Sequence, residues 1–225
     1  MSNIGFRINQ TFSRPDDSLV ESFRDIPVAN ICDNMGRIAC MDSSIIGYGK
    51  RVVLGVAFTV RVPANDNLML HKAIDLASPG DIIVVDGEGV TTHALMGEIM
   101  FRYAISRGIR GFILDGCIRD VDSLEHLDFP VFAKGVNPRG PYKNGPGEIN
   151  FPISCGGQVV HPGDIISADK DGIVVIRPED APSLLIKAKA QNVAESVTFK
   201  EIANRTINRA WVDEFLVSKG AEFLK

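Results

Sequence analysis

Three charged residues of mixed sign, Glu98, Arg119 and Asp120, are spaced so that they can face one cleft. Asp120 is the type of residue that holds a hard divalent cation, since Mg2+ takes one or two protein carboxylates and completes its shell with substrate oxygens and water. Arg119 can grip a carboxylate through two parallel N–H donors. Gly97-Glu98-Ile99-Met100 reads as a helix start, where free backbone N–H groups and the dipole favour an anion, and Gly97 lets a ligand approach closely. Glu98, in the first turn, can hydrogen-bond water on a metal. Each feature also has a plainer reading. Asp120 or Asp122 can cap a short helix over 121–127, with Asp122 and Glu125 in capping-box spacing. Arg119 can be the structural partner of Asp115 or Asp120, Gly97 can reflect tight packing, and Glu98 can simply favour the helix dipole. Spacing alone leaves both sets of readings open.

The elements that must position these residues are legible as hydrophobic patterns. Phe112 to Leu114 reads as a buried strand and Asp115-Gly116 as a turn, which delivers Arg119 and Asp120 just past the strand's carboxyl end, where parallel α/β folds bind ligands. Twenty residues lie between Glu98 and Arg119. They read as a helix followed by this strand, with Leu95, Met96, Ile99, Met100, Tyr103 and Ala104 as a helical stripe closed by Gly108. Residues 81–114 therefore make a strand, helix, strand unit, expected as a right-handed parallel crossover. Upstream, the pattern predicts a helix from 13 to about 23, and a second over 27–35 that carries Asp33 and stops at Gly36. A strand over 52–62 and a helix over 67–77 follow. Downstream, 131–133 is a strand. The Gly- and Pro-rich segment 135–147, with Arg139 and Lys143, has no pattern of its own and is a candidate lid or binding loop. Short strands follow near 159–160, 164–168 and 172–176. Pro79-Gly80-Asp81-Ile82-Ile83 recurs as Pro162-Gly163-Asp164-Ile165-Ile166, which is best taken as one turn solution used twice. From Pro178 onward the pattern turns helical. The expectation is a single α/β domain over 1–225 with mixed sheets. Residues 179–225 form a helical tail that either packs on another subunit or covers its own core.

Composition narrows the function classes. The chain has 225 residues, 45% of them hydrophobic, enough for one substantial core. A net charge of −4 argues against a sequence-independent nucleic-acid surface, which needs clustered Lys and Arg. No run approaches ~18 apolar residues, so no membrane span is indicated. Cys32, Cys40, Cys117 and Cys155 have no CxxC spacing and read as reduced thiols rather than zinc ligands or disulfides, which points to a cytoplasmic protein.

Several motifs occur together in order: Asp66-Asn67-Leu68 to His71-Lys72-Ala73, Gly97-Glu98, Arg119-Asp120, Phe129-Pro130-Val131-Phe132-Ala133, Asn137-Pro138-Arg139-Gly140-Pro141, Gly145 to Asn150, and Pro162 to Gly172. Together they resemble the 4-hydroxy-4-methyl-2-oxoglutarate aldolase family, which also contains the ribonuclease E activity regulator A proteins. The resemblance implies a swivelling β/β/α sandwich assembled as trimers or hexamers. It also implies a lyase that cleaves a 4-hydroxy-2-oxo acid to pyruvate and a second carbonyl compound, with oxaloacetate decarboxylation through the same enolate. Asp120 would bind Mg2+ or Mn2+, Arg119 would contact substrate oxygens, and the main chain of Gly97, Glu98, Ile99 and Met100 would hold the pyruvate carboxylate. Glu98 stands where family members often have Asp. Asp33 stands where aldolases of the family commonly have a Glu reaching in from a neighbouring subunit. Two other classes remain: a protein-binding regulator of a ribonuclease, and a phosphohistidine carrier using His93, whose segment Thr91-Thr92-His93-Ala94 resembles that of swivelling phosphohistidine domains.

Overall fold

The computed structural model describes residues 3–50 and 52–224. Its first half runs β1 (Phe6–Ile8), α1 (Asp17–Glu21), α2 (Val28–Asp33), β2 (Ile46–Gly49), β3 (Val53–Arg61), α3 (Leu68–Leu76), β4 (Asp81–Met96), α4 (Glu98–Ser106) and β5 (Gly111–Ile118). A single 3-10 turn over Val121–Ser123 leads into α5 (Leu124–Leu127), β6 (Pro130–Val136), β7 (Gly147–Ile149), β8 (Ile153–Cys155), β9 (Gln158–Val160), β10 (Ile165–Ala168) and β11 (Ile173–Ile176). Helices α6 (Ala181–Asn204) and α7 (Ala210–Ser218) close the chain.

Strands β3, β4, β5 and β6 are parallel neighbours. Helices α3, α4 and α5 connect them in turn, so the successive crossovers place the ends of all four strands at one edge. The sheet is mixed because β3 shares its other side between two antiparallel partners, β10 along Val53 to Val56 and β7 along Val60 and Arg61. Strand β2 runs antiparallel to β6, β11 extends from β10, and β8 and β9 form a separate hairpin.

The central strands read as unbroken apolar runs because both of their faces are buried. Successive side chains point to opposite faces. Phe112 and Leu114 therefore enter the core that α3 and α4 cover, with Leu70 and Phe101, while Ile113 enters a second core with Ile153 and Val160 of the hairpin. A third cluster, including Phe23, Ile31, Leu54, Ile165 and Leu184, seats α1, α2 and the start of α6. Full burial of one such side chain is worth roughly 1.5–3 kcal/mol, so both faces matter for holding β5 in place.

Three expectations need correction. Asp115-Gly116 is not a turn: β5 continues to Ile118, and Asp115 is held there by Lys134 (3.1 Å) and by the Gly156 amide (3.1 Å). Leu95 and Met96 belong to β4 rather than to the helix, since the strand reaches Met96 through three register shifts against β5. Cys32 and Cys40 are bonded to each other with Cα atoms 6.5 Å apart, whereas Cys117 and Cys155 are buried free thiols. The pairing was hidden in the sequence because it depends on Cys40 bridging to Val174 of β11, against which α2 also packs. The described chain divides into two compact units, Met1–Ala188 and Lys189–Lys225. The second unit includes the rest of α6 and all of α7, and exposes Val193, Val197, Phe199, Trp211 and Phe215. Among the described residues no helix is long and apolar enough to cross a membrane.

Candidate active site

Residues that follow the carboxyl ends of β3, β4, β5 and β6 line one cleft of about 200 Å³. Asn67 and His71 come from the start of α3, and Gly97, Ile99 and Met100 from the start of α4. Arg119 and Asp120 follow β5, and Pro141 and Lys143 belong to the segment after β6.

Asp120 does not make the cap on the following helix that its spacing allows: its side chain makes no cap on the 3-10 turn that it precedes. Instead Asp120 Oδ2 accepts the Glu98 backbone N–H at 3.1 Å, so it caps α4, a helix 22 positions back in the chain. The backbone of Asp120 is left-handed (φ 57°), a conformation that Asp tolerates better than most residues. Gly97 is needed beside it, because a Cβ there would overlap the Asp120 carboxylate and the Arg119 stem. Arg119 Nε lies 3.5 Å from Asp120 Oδ2. The guanidinium head lies over Gly140, where a Cβ would sit 3.0 Å from Nη1. Its two Nη groups have no partner among the described residues.

The helix start offers fewer free amides than its sequence suggests. Glu98 N–H is taken by Asp120, and Met100 N–H donates to the Gly97 carbonyl (3.0 Å). The amides of Gly97 and Ile99 are the ones left for an anion. Glu98 itself turns away: its carboxylate pairs with Arg102 one turn later (2.6 Å), and it does not line the cleft. Asp33 lies elsewhere in the chain, paired with Arg37 (3.0 Å) beside a separate cavity of about 520 Å³ that also contacts Asp169 and Lys170. His93 packs its ring on Tyr142, with centroids 5.5 Å apart, and its Nδ1 lies 3.4 Å from Thr92 Oγ1.

Segment 135–147 is a fixed wall of the cleft. Asn67 N–H donates to Tyr142 O, Tyr142 N–H to Asn65 O, Ala94 N–H to Arg139 O and Asn144 N–H to buried Asp66. Asp66 also accepts Leu68 N–H at 2.9 Å, which ties this wall to the start of α3. Asn67 and His71 have no individual role in the sequence patterns, and Lys143 enters them only as part of the 135–147 candidate lid or binding loop. An Asn and a His four residues apart at a helix start do share one face, and that signal was available.

Among the described residues, no three His, Cys, Asp or Glu side chains gather to hold a metal. A cation at Asp120 would therefore take most of its ligands from water and substrate, which suits Mg2+ or Mn2+ and not a closed zinc site. The Asp120 carboxylate is about half exposed, and its Oδ1 has no protein partner among the described residues, so the donor present fits such a loosely held ion.

Fold and cleft together define a mixed α/β protein with a polar cleft at the carboxyl edge of its parallel strands. The chain belongs to the RraA-like (aldolase/RraA) family, whose model matches residues 28–175. A protein of Halalkalibacterium halodurans, provisionally named 4-hydroxy-4-methyl-2-oxoglutarate aldolase, is 36% identical over 91% of this chain and 98% of its own. Among solved structures, an RraA-family protein of Streptomyces coelicolor, described as an unusual member of an RNase ES inhibitor family, superposes with TM-score 0.75 at 26% identity. It covers 84% of this chain and 98% of that one. The RNA-processing inhibitor RraA of Thermus thermophilus gives TM-score 0.63 at 26% identity, over 68% and 93% of the two chains.

Proposed function

We propose that the chain is a divalent-metal-dependent lyase that cleaves a 4-hydroxy-2-oxo acid to pyruvate and a second carbonyl compound, and that it also decarboxylates oxaloacetate. The observation that carries this reading is the convergence in one cleft of two free helix-start amides, the unpaired Nη groups of Arg119, Lys143, and a single carboxylate with an open oxygen. The aldolase name of the Halalkalibacterium halodurans relative supports it.

In this reading the amides of Gly97 and Ile99 hold the substrate carboxylate at the helix N-terminus. Arg119 donates to the C2 oxygen, where negative charge develops as the C–C bond breaks, and preorganised donors of this kind act most strongly on charge that appears in the transition state. Lys143 adds positive charge on the 135–147 wall. Asp120 would hold Mg2+ or Mn2+, which when bound supplies Lewis-acid polarisation of the substrate oxygens. Glu98 serves the site indirectly, since its pairing with Arg102 holds the first turn of α4. Asp33 can act here only if a second copy of the chain delivers it. The exposed apolar residues of Lys189–Lys225 favour such assembly, for which the family resemblance implies trimers or hexamers.

A screen of about C4 to C7 2-oxo acids for pyruvate release, with and without Mg2+ or Mn2+, tests the reading. Turnover of at least one 4-hydroxy-2-oxo acid is expected only with the metal. The two solved RraA-family structures, one an RNA-processing inhibitor and the other from an RNase ES inhibitor family, favour a second reading, a regulator that binds a ribonuclease. Ribonuclease inhibition by the protein, with no turnover in the screen, would select it.

A further inference from the structure

Cleaving a 4-hydroxy-2-oxo acid requires a base for the C4 hydroxyl proton. Most titratable groups near the cleft are unsuited to that task. Glu98 is paired with Arg102, Asp33 of the same chain is beside another cavity, Asp120 accepts the Glu98 amide and is the candidate metal ligand, and Arg119 and Lys143 serve the substrate's negative charge in the reading above. His71 differs from all of these. It lines the cleft one turn after Asn67, and its backbone N–H donates to Asn67 O (3.0 Å). Asn67 is buried and fixed to β4 by donating to Leu95 O (2.7 Å), so the first turn of α3 is held firmly against the cleft wall. Neither ring nitrogen of His71 is committed to a protein partner among the described residues. Asn67 Oδ1, in the same wall, is buried with no donor satisfying it.

The geometry points to His71 as the group that takes the C4 hydroxyl proton and returns it to C3. This rests on the lyase reading above. As the O–H bond breaks, its proton moves to the imidazole. The C3–C4 bond breaks as the C4 carbonyl forms, and its electron pair becomes the C2–C3 double bond while the C2 oxygen takes the negative charge. Transfer of the proton from imidazolium to C3 then gives pyruvate and restores neutral His71, so the cycle balances. Oxaloacetate has no hydroxyl to deprotonate, and water can supply the proton at C3.

The surroundings suit a neutral imidazole. Lys143 faces His71 from the 135–147 wall, Arg119 and Asp120 from the end of β5, and Lys72 and Asp75 lie on α3, with Asp75 bonded to Tyr103 of α4. Desolvation first, and Lys143 second, lower the His71 pKa from 6.5, against an opposing pull from Asp75. The free base therefore dominates at neutral pH. Activity that needs it should fall as pH drops through the lowered value.

The test compares purified wild type with His71→Asn and His71→Gln, with saturating Mn2+, for aldol cleavage and oxaloacetate decarboxylation from about pH 5 to 9. Both variants should lose about 100-fold in kcat for cleavage, with KM within about threefold and decarboxylation changed less than about threefold. The acid limb of the wild-type cleavage profile should disappear. Circular dichroism checks that the variants fold. Equal loss of both reactions, or an acid limb that survives in the folded variants, overturns the role of His71 alone. A wild type that turns over neither substrate overturns the lyase reading, and the role of His71 with it.

Discussion

Asp120 Oδ2 accepts the backbone N–H of Glu98 at 3.1 Å, joining the end of one parallel strand to the start of the helix that leaves its neighbour. That bond fixes the amides of Gly97 and Ile99 relative to Arg119, so the carboxylate proposed to hold the metal also shapes the proposed anion pocket. Removal of the side chain should cost the fold only about 1 kcal/mol, as for other lost caps. Activity should fall at least about 100-fold, since the proposed metal ligand is lost. Because Asp120 is left-handed, Asp120→Gly should be more stable than Asp120→Ala by about 1 kcal/mol while being equally inactive. Denaturant midpoints and pyruvate release on both variants check this. An Asp120→Ala protein that is folded and fully active would remove Asp120 from the site.

Arg119→Lys should behave as a severe mutant, down about 100-fold or more in kcat/KM, although it keeps the charge. Lysine cannot present two donors in a plane. Steady-state kinetics decide, and near-normal efficiency would leave Arg119 a structural residue.

Gly97→Ala should fold, because the φ of −154° suits any residue. The new Cβ overlaps the Asp120 carboxylate and the Arg119 stem, however, and must displace one of them. A displacement of about 1 Å in a catalytic group can cost 100-fold. The expected result is unchanged secondary structure with activity lowered at least about tenfold. Wild-type turnover in the variant would show that the close approach at Gly97 serves packing alone.

Much of the fold was legible in the sequence, for identifiable reasons. Strands β3 and β5 and helices α3 and α4 announce themselves because apolar period and length agree, and Arg119-Asp120 falls past a strand end whichever way Asp115-Gly116 is read. Other features depend on distant partners. Asp115 stays in its strand because Lys134 and the Gly156 amide satisfy its carboxylate, and no local pattern encodes either partner. The 135–147 segment lacks periodicity because its order comes from bonds to Asn65, Asp66 and Ala94 rather than from an element of its own. Glu98 was placed in the site by its position in the chain, and the structure turns it to Arg102 because i,i+4 pairing on an exposed helix face competes for the same carboxylate.

The tail carries its own expectation. Truncation after Ala188 should leave the described α/β unit folded while abolishing or reducing the proposed self-assembly, since Val193, Val197, Phe199, Trp211 and Phe215 are apolar side chains that solvent does not favour. Light scattering coupled to size exclusion reads this directly. An unchanged assembly after truncation would place the subunit interface elsewhere.

The central claim is a metal-dependent pyruvate lyase centred on Asp120, and its most direct measurement is pyruvate release from 4-hydroxy-4-methyl-2-oxoglutarate by chelator-treated wild type and Asp120→Ala, before and after Mg2+ or Mn2+ is restored. Wild type should be inactive after chelation and recover with either ion, and folded Asp120→Ala should remain inactive throughout. Metal-independent release by wild type, or recovery of Asp120→Ala to the wild-type rate, would contradict it.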